Sequence, residues 1–142
     1  MTSTATKLMG AASAMVLATA SFAVDSGRAQ ADPAMHQVVY IVSATSPARV
    51  DIFYQDQDPA VYADYSHNPY QFTPQVHADV APGKPWVQPV SLLNPDQWAM
   101  VTATTGRGPV APGGIQCDLS VDGKVVVSKV GPKGALCSLR TW

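Results

Sequence analysis

The stretch from Ile115 to Val130, IQCDLSVDGKVVVSKV, decides the fold class of this chain. Every second residue in its first half is apolar, as on a strand with one buried face. Asp122-Gly123 then precedes a run of three valines. This dipeptide is typical of a two-residue type I′ turn, because glycine tolerates the positive φ that the turn requires. The stretch therefore predicts an antiparallel hairpin, in which Cys117 lies opposite Ser128.

The rest of the chain repeats short β-branched and aromatic runs between turn residues. Proline at position 89 confines its strand to a sheet edge or a bulge, because proline lacks the backbone N–H of the ladder. The chain contains no glutamate and shows no helical periodicity. We predict an all-β fold, an antiparallel immunoglobulin-like β-sandwich of about seven strands with one disulfide. Besides the hairpin, strands are expected over 37–43, 48–54, 75–80, 87–93, 98–105 and 135–140.

The first 31 residues have the pattern of a secretory signal peptide. Lys7 gives a positive start, Met9 to Val24 is uncharged and rich in small and apolar residues, and Ala29-Gln30-Ala31 is a small-x-small cleavage site. An uncleaved anchor is the alternative, but the run is short and weakly apolar against the ~20 residues of a spanning helix. We expect cleavage before Asp32, a mature domain over 32–142, and a secreted or periplasmic location. Without cleavage the protein is membrane-anchored.

The two cysteines, Cys117 and Cys137, both follow the export signal. In an oxidising compartment an isolated pair favours a structural disulfide over a reactive pair, since the spacing is not C-x-x-C. Closing this loop should stabilise the fold by about 3 kcal/mol. A second tight hairpin at 131–134 would place the cysteines two strands apart, beyond disulfide reach. We therefore expect the last strand to cross to the other sheet or to lie beside the Cys117 strand.

Charge and motifs argue against several functional classes. The formal net charge of −1 gives no electrostatic reason to expect nucleic acid or an anionic membrane as partner. No G-x-S-x-G elbow, H-E-x-x-H motif or Gly-rich phosphate loop is present, so we predict no enzyme activity, cofactor or metal. A metal shared by His67 and His77 with Asp64 or Asp79 is less favoured than solvated histidines. Asp56-x-Asp58 fits turn chemistry better than calcium. The three histidines are His36, His67 and His77.

The segment 55–74 is the candidate binding loop. It places four aromatic residues, Tyr62, Tyr65, Tyr70 and Phe72, among Asp-Pro, Asn-Pro and Thr-Pro pairs. Tyrosines on a proline-stiffened loop can form a rigid surface for a glycan, a lipid headgroup or a protein. The alternative is that the rings fold back and cover one end of the sandwich.

Four segments of the mature sequence share their residues and order with a known family. They are Val39-Tyr40-Ile41-Val42, Ala48 to Tyr54, Pro85-Trp86 and Cys117 to Val125. With these segments the chain resembles the periplasmic domain of the mycobacterial MmpS proteins. The Cys-x-Leu-x-Val-Asp-Gly run is the most specific part of the resemblance, with Cys137 as the second cysteine. A cleaved signal in place of a transmembrane helix, and a longer tyrosine-rich stretch, are departures from the family.

The MmpS resemblance implies a non-catalytic accessory role. The chain would then be an accessory protein of an MmpL transporter of the RND class, which exports envelope lipids or siderophores. The competing expectation is a free secreted binding module that recognises a glycan, lipid or protein through its tyrosine-rich loop. An enzyme is the least favoured of the three.

Overall fold

β-branched and aromatic runs of the sequence form eight strands in the computed structural model, which describes residues 33–141. The expected signal peptide lies outside the described residues. Two helices of one turn and a 3₁₀ turn at Pro69–Gln71 accompany the strands. The helices are α1, Tyr62–His67, and α2, Pro95–Trp98. The strands are β1 His36–Ala44, β2 Ala48–Tyr54, β3 Gln75–Val80, β4 Trp86–Leu92, β5 Met100–Thr104, β6 Ile115–Val121, β7 Lys124–Gly131 and β8 Gly134–Ser138.

The strands form two antiparallel sheets of four. The first sheet has the order β4-β1-β6-β7 and the second the order β3-β2-β5-β8. Only the β2–β3 and β6–β7 connections join neighbours within a sheet, and the others cross between sheets. The predicted antiparallel β-sandwich is confirmed, with eight strands rather than about seven. Pro89 lies on β4 at the edge of the first sheet, as its missing N–H requires.

The core lies between the two inward faces. Alternate residues of β1, including Val38 and Val42, meet Val50 and Ile52 of β2, and all four are almost completely buried. Tyr40 is also fully buried, and its hydroxyl donates a hydrogen bond to the Gln55 carbonyl at 2.8 Å. Because Tyr40 lies on β1 of the first sheet and Gln55 directly follows β2 of the second, this bond ties the two layers together. Burial raises the pKa of Tyr40 well above its ordinary value.

The predicted β6–β7 hairpin is confirmed, but its predicted register is wrong by one residue. Asp122 and Gly123 form the turn, with φ of 50° and 83°, as a type I′ turn demands. A register shift between Leu119 and Ser120 introduces a β-bulge, because Leu119 pairs with Val127 and Ser120 with Val125. Cys117 therefore lies opposite Lys129 rather than Ser128.

The predicted disulfide joins Cys117 of β6 to Cys137 of β8, with a Cα–Cα distance of 6.0 Å. These strands belong to different sheets, so of the two expected positions the last strand takes the one in the other sheet. β8 pairs with β5 there, and Cys137 lies opposite Val101. A Cβ at Gly134 would approach the Ala103 carbonyl oxygen to 2.2 Å. The pairing of β8 with β5 therefore requires a residue without a side chain at its first position.

One predicted strand begins too early. Residues 98–105 were expected to be extended, but Trp98 ends helix α2 and the strand begins at Met100. Pro95 at the first helical position favours this helical turn. The turn places the Trp98 ring against the tyrosine-rich segment instead of in the sheet.

The strand directions define two poles of the sandwich. The tyrosine pole comprises the connections 55–74, 93–99 and 122–123 together with the final residues 139–141. The proline pole comprises 45–47, 81–85, 105–114 and 132–133.

Candidate functional site

Asp58 fixes the tyrosine-rich segment to the rest of the tyrosine pole. Its two carboxylate oxygens accept hydrogen bonds from the backbone N–H groups of Leu93, at 2.7 Å, and Asn94, at 2.8 Å. These donors come just before helix α2, so the carboxylate satisfies backbone groups that would otherwise lack partners. The contact is with residues 35 and 36 positions along the chain, not with the local turn that the Asp56-x-Asp58 pattern predicts.

Trp98 is the centre of an aromatic cluster at this pole. Its ring is 4% exposed and is covered by Tyr62, stacked at 6.4 Å between centroids, and Tyr65, tilted at 5.3 Å. The guanidinium carbon of Arg140 lies 5.4 Å from the Trp98 ring centroid and 5.6 Å from that of Tyr62. Cations at such distances are attracted by the ring quadrupole. The cluster therefore joins the loop, α2 and the end of the chain.

The structure divides the four predicted loop residues into two pairs. Phe72 is buried, and Tyr65 is partly buried against the core, so these rings cover the end of the sandwich. Tyr62 is 55% exposed and Tyr70 is 73% exposed. Tyr65 and Phe72 thus have the covering role and Tyr70 lies at the surface, whereas Tyr62 is exposed and also stacks on Trp98.

The packing beneath the loop changes the acidity of its groups. Burial raises the pKa of Tyr65, and the charge of Arg140 opposes that rise. Burial likewise raises the pKa of Asp56, whose Oδ1 atom is buried and has no hydrogen-bond partner. The hydrogen bond that Asp56 N donates to the Phe72 carbonyl, 3.0 Å long, holds the two ends of the segment together.

The tyrosine pole is acidic. Its connections carry five aspartates against one arginine, Arg140. A pole with this balance repels anionic partners and favours neutral or cationic ones. The five are Asp56, Asp58, Asp64, Asp96 and Asp122.

The histidines pair with carboxylates rather than with each other. His77 Nδ1 lies 2.5 Å from Asp51 Oδ1 on the outer face of the second sheet, and His36 Nδ1 lies 2.7 Å from Asp122 Oδ2. His67 ends helix α1. Among residues 33–141, no three His, Cys, Asp or Glu side chains are grouped closely enough to hold a metal. The same residues include no helix long and apolar enough to cross a membrane.

Sequence reasoning missed Trp98 and Arg140 as members of the aromatic cluster. Trp98 was assigned to a strand, and Arg140 is a single cation far from the loop in sequence. No local pattern signals either role, because a cation–π contact depends on where the chain returns in space.

The comparisons with known proteins identify the family. A model of the Rv2576c β-sandwich domain matches residues 40–137. The chain belongs to this family. A similar protein, Uncharacterized protein Rv2576c of Mycobacterium tuberculosis strain H37Rv, is 41% identical over 114 residues, which cover 80% of this chain and 73% of the relative. Uncharacterized protein MT2652 of M. tuberculosis strain CDC 1551 and Uncharacterized protein Mb2606c of Mycobacterium bovis match to the same extent. No solved structure matches the chain.

The family assignment overturns the MmpS resemblance, which is wrong. The matching family is the Rv2576c β-sandwich family, and its members found here do not include an MmpS protein. The physical reason lies in the residues that carried the resemblance. Cys117 to Val125 forms an alternating strand, a type I′ turn and one end of an inter-sheet disulfide. Such residues are needed for the strand, turn and disulfide of any disulfide-linked sandwich, so they do not distinguish one sandwich family from another.

Proposed function

We propose that this protein is an exported, non-catalytic binding domain that recognises a neutral glycan through the tyrosine pole. The single observation that carries the proposal is the exposure of Tyr62 and Tyr70 on a segment that is otherwise packed down. Export is inferred from the signal-peptide pattern of residues 1–31.

Rigidity supports a recognition role for this segment. Asp58 holds one part of it, Phe72 buries another, and Tyr65 fixes helix α1 against Trp98. An exposed ring held in this way loses little conformational entropy when a ligand stacks on it. Tyrosine suits the role because its ring offers apolar area and its hydroxyl offers a hydrogen bond.

The charge of the pole supports a neutral glycan over the other candidate ligands. Five aspartates disfavour an anionic lipid headgroup by like-charge repulsion. Carboxylates and amides also accept and donate the hydrogen bonds that sugar hydroxyls need. Asp64 and Asn68 are exposed beside the two tyrosines in sequence. A basic protein segment is the competing partner, and the experiment below separates the two.

The test is affinity electrophoresis of the full chain through gels that contain a soluble mannan, arabinan or galactan. Retardation by one of these polysaccharides is expected for the wild type. Tyr62→Ser and Tyr70→Ser should each weaken retention by about tenfold, the usual effect of removing a central aromatic anchor. Val130→Ser, a change at an exposed apolar residue of β7, is the matched control and should migrate as wild type.

Stability measurements separate binding from folding. Tyr70→Ser should change the free energy of unfolding by no more than about 0.5 kcal/mol, whereas Tyr65→Ser should cost about 1–2 kcal/mol because its ring packs on Trp98. Loss of retention in Tyr70→Ser with wild-type stability supports the proposal. Absence of retention on all three polysaccharides, together with binding to a polylysine column, would reassign the surface to a basic protein partner.

The accessory role in RND-type export stays a prediction that no observation tests. It depended on the MmpS resemblance, so the proposal does not include a transporter.

A further inference from the structure

The proline pole contains a concavity that a small molecule could occupy. It has a volume of about 650 Å³ and lies between the start of β2 and the 105–114 connection. This volume is within the range of small-molecule sites in proteins. Its walls are largely apolar and come from Pro47, Pro109, Val110 and Pro112.

The cavity is held open by its own connections. The hydroxyls of Thr45 and Ser46 donate hydrogen bonds to the Pro112 carbonyl, at 3.1 and 2.8 Å, and so join the two walls. Gly113, with φ of 82°, passes so close that a Cβ would lie 1.9 Å from the Thr45 hydroxyl oxygen. Prolines and these bonds restrict the walls, so a ligand enters a site that is formed in advance.

Arg49 gives the cavity a cation with unused hydrogen-bonding capacity. Its side chain is 74% exposed and its one recorded polar contact within residues 33–141 is Asp79, at 4.0 Å. A guanidinium offers five donors, arranged to bind a planar carboxylate in a bidentate manner. Asp51, the acidic residue of the lining, already pairs with His77 at 2.5 Å.

The surroundings of the cavity favour an anion. The connections of the proline pole carry Lys84, Arg107 and Lys133 and no acidic residue. Lys84 lines a neighbouring depression that shares Pro47, Ala48 and Arg49 with the main cavity and also includes Asp79. This field is opposite in sign to that of the tyrosine pole and would steer anions towards Arg49.

We infer that this cavity binds an apolar monocarboxylate, with the carboxylate on Arg49 and the apolar body against Pro47, Pro109, Val110 and Pro112. One arginine matches one carboxylate. A dianionic phosphate fits less well, because the lining has no cation besides Arg49 for its second charge. The site lies at the opposite pole from the proposed glycan surface and does not depend on it.

The test is isothermal titration calorimetry of the full chain with decanoate below its micellar concentration. Saturable binding with one site is expected. The neutral analogue 1-decanol, which lacks the carboxylate, should bind at least about tenfold more weakly, as expected for loss of a charge-assisted pair. Inorganic phosphate alone should not bind.

Two variants that each remove one positive charge test whether the carboxylate of decanoate binds at Arg49. Arg49→Gln should weaken decanoate binding about tenfold and leave 1-decanol unchanged. Lys84→Gln removes one cation from the same pole and should change decanoate affinity by less than about twofold, a long-range effect only. Val110→Asp should abolish binding, and a thermal melt of each variant checks that it folds.

Three results would overturn the inference. They are no saturable decanoate binding, an equal loss in Arg49→Gln and Lys84→Gln, and equal affinities for decanoate and 1-decanol. Tyr70→Ser should bind decanoate as wild type whatever its effect on glycan retention, so failure at one pole is distinguishable from failure at the other.

Discussion

Tyrosine has two roles in this domain, and burial distinguishes them. Tyr40 is inside, where its hydroxyl donates to the Gln55 carbonyl and accepts from Met100 N. A buried hydroxyl without such partners would be costly, so these bonds permit a tyrosine where β1 otherwise has valines. Tyr62 and Tyr70 are exposed and have no such constraint. At residue scale, the same side chain is therefore either a buried link between the two layers or an exposed ring on the surface for which we propose recognition.

Asp122 makes the stability of the hairpin depend on pH. A hydrogen bond from His36 and another from Gln37 N lower the pKa of Asp122 below its ordinary 3.8. A carboxyl whose pKa is lowered by folding stabilises the protein above its unfolded pKa, and this contribution is lost as the pH falls through the lowered folded value.

We expect Asp122→Asn to be less stable than wild type near neutral pH and equally stable in strong acid. Asparagine tolerates the φ of 50° at this position, so the variant removes charge without straining the turn. Urea unfolding from pH 7 to about pH 2 gives the difference in free energy of unfolding. A difference that stays constant over this range would show that the carboxylate charge contributes nothing.

At the scale of elements, the segment 55–74 owes its order to contacts with other parts of the chain. Helix α1 has six residues and no side-chain N-cap, so it is too short to be stable alone. Its position depends on Tyr65 packing against Trp98 and on Asp58 bonding to the start of α2. The loop is therefore ordered by tertiary contacts rather than by helix propensity.

Asp58→Ala should loosen this segment, because Leu93 N and Asn94 N lose their shared acceptor. We expect a loss of about 1–2 kcal/mol and faster amide exchange across 55–74 and 93–98. Asp64→Ala is the matched control, since Asp64 is an exposed aspartate of α1 whose carboxylate caps nothing. Unchanged exchange in Asp58→Ala would mean that the aromatic contacts alone hold the segment.

At the scale of the whole molecule, the sandwich is held by its core and by one covalent link between sheets. Cys117 and Cys137 are fully buried, and their bond joins the second sheet to the hairpin of the first. The two poles differ in charge and in shape, one acidic with exposed rings and the other basic with a cavity. Both poles are built from connections, because the strands themselves supply the core.

Replacing both cysteines by alanine should destabilise the protein by about 3 kcal/mol, which lowers Tm by roughly 10–20 °C for a domain of this size. A thermal melt of the full chain measures this, with dithiothreitol as the parallel treatment. The reductant should lower the Tm of the wild type and leave that of the double variant unchanged. Equal melting of wild type and double variant would mean that the link adds nothing to the packed core.

The sequence by itself determined most of the strands, the Asp-Gly turn and the disulfide, and it limited the last strand to two possible positions. Alternation and turn chemistry act over short distances, and the reach of a disulfide is fixed by geometry. It also marked the tyrosine-rich segment. Only the tertiary structure decided which rings of that segment are exposed, where the bulge shifts Cys117 opposite Lys129, and that Arg140 joins Trp98. It alone placed Arg49 beside the cavity of the 105–114 connection. These features depend on contacts between residues far apart in the chain, and local sequence patterns do not predict such contacts.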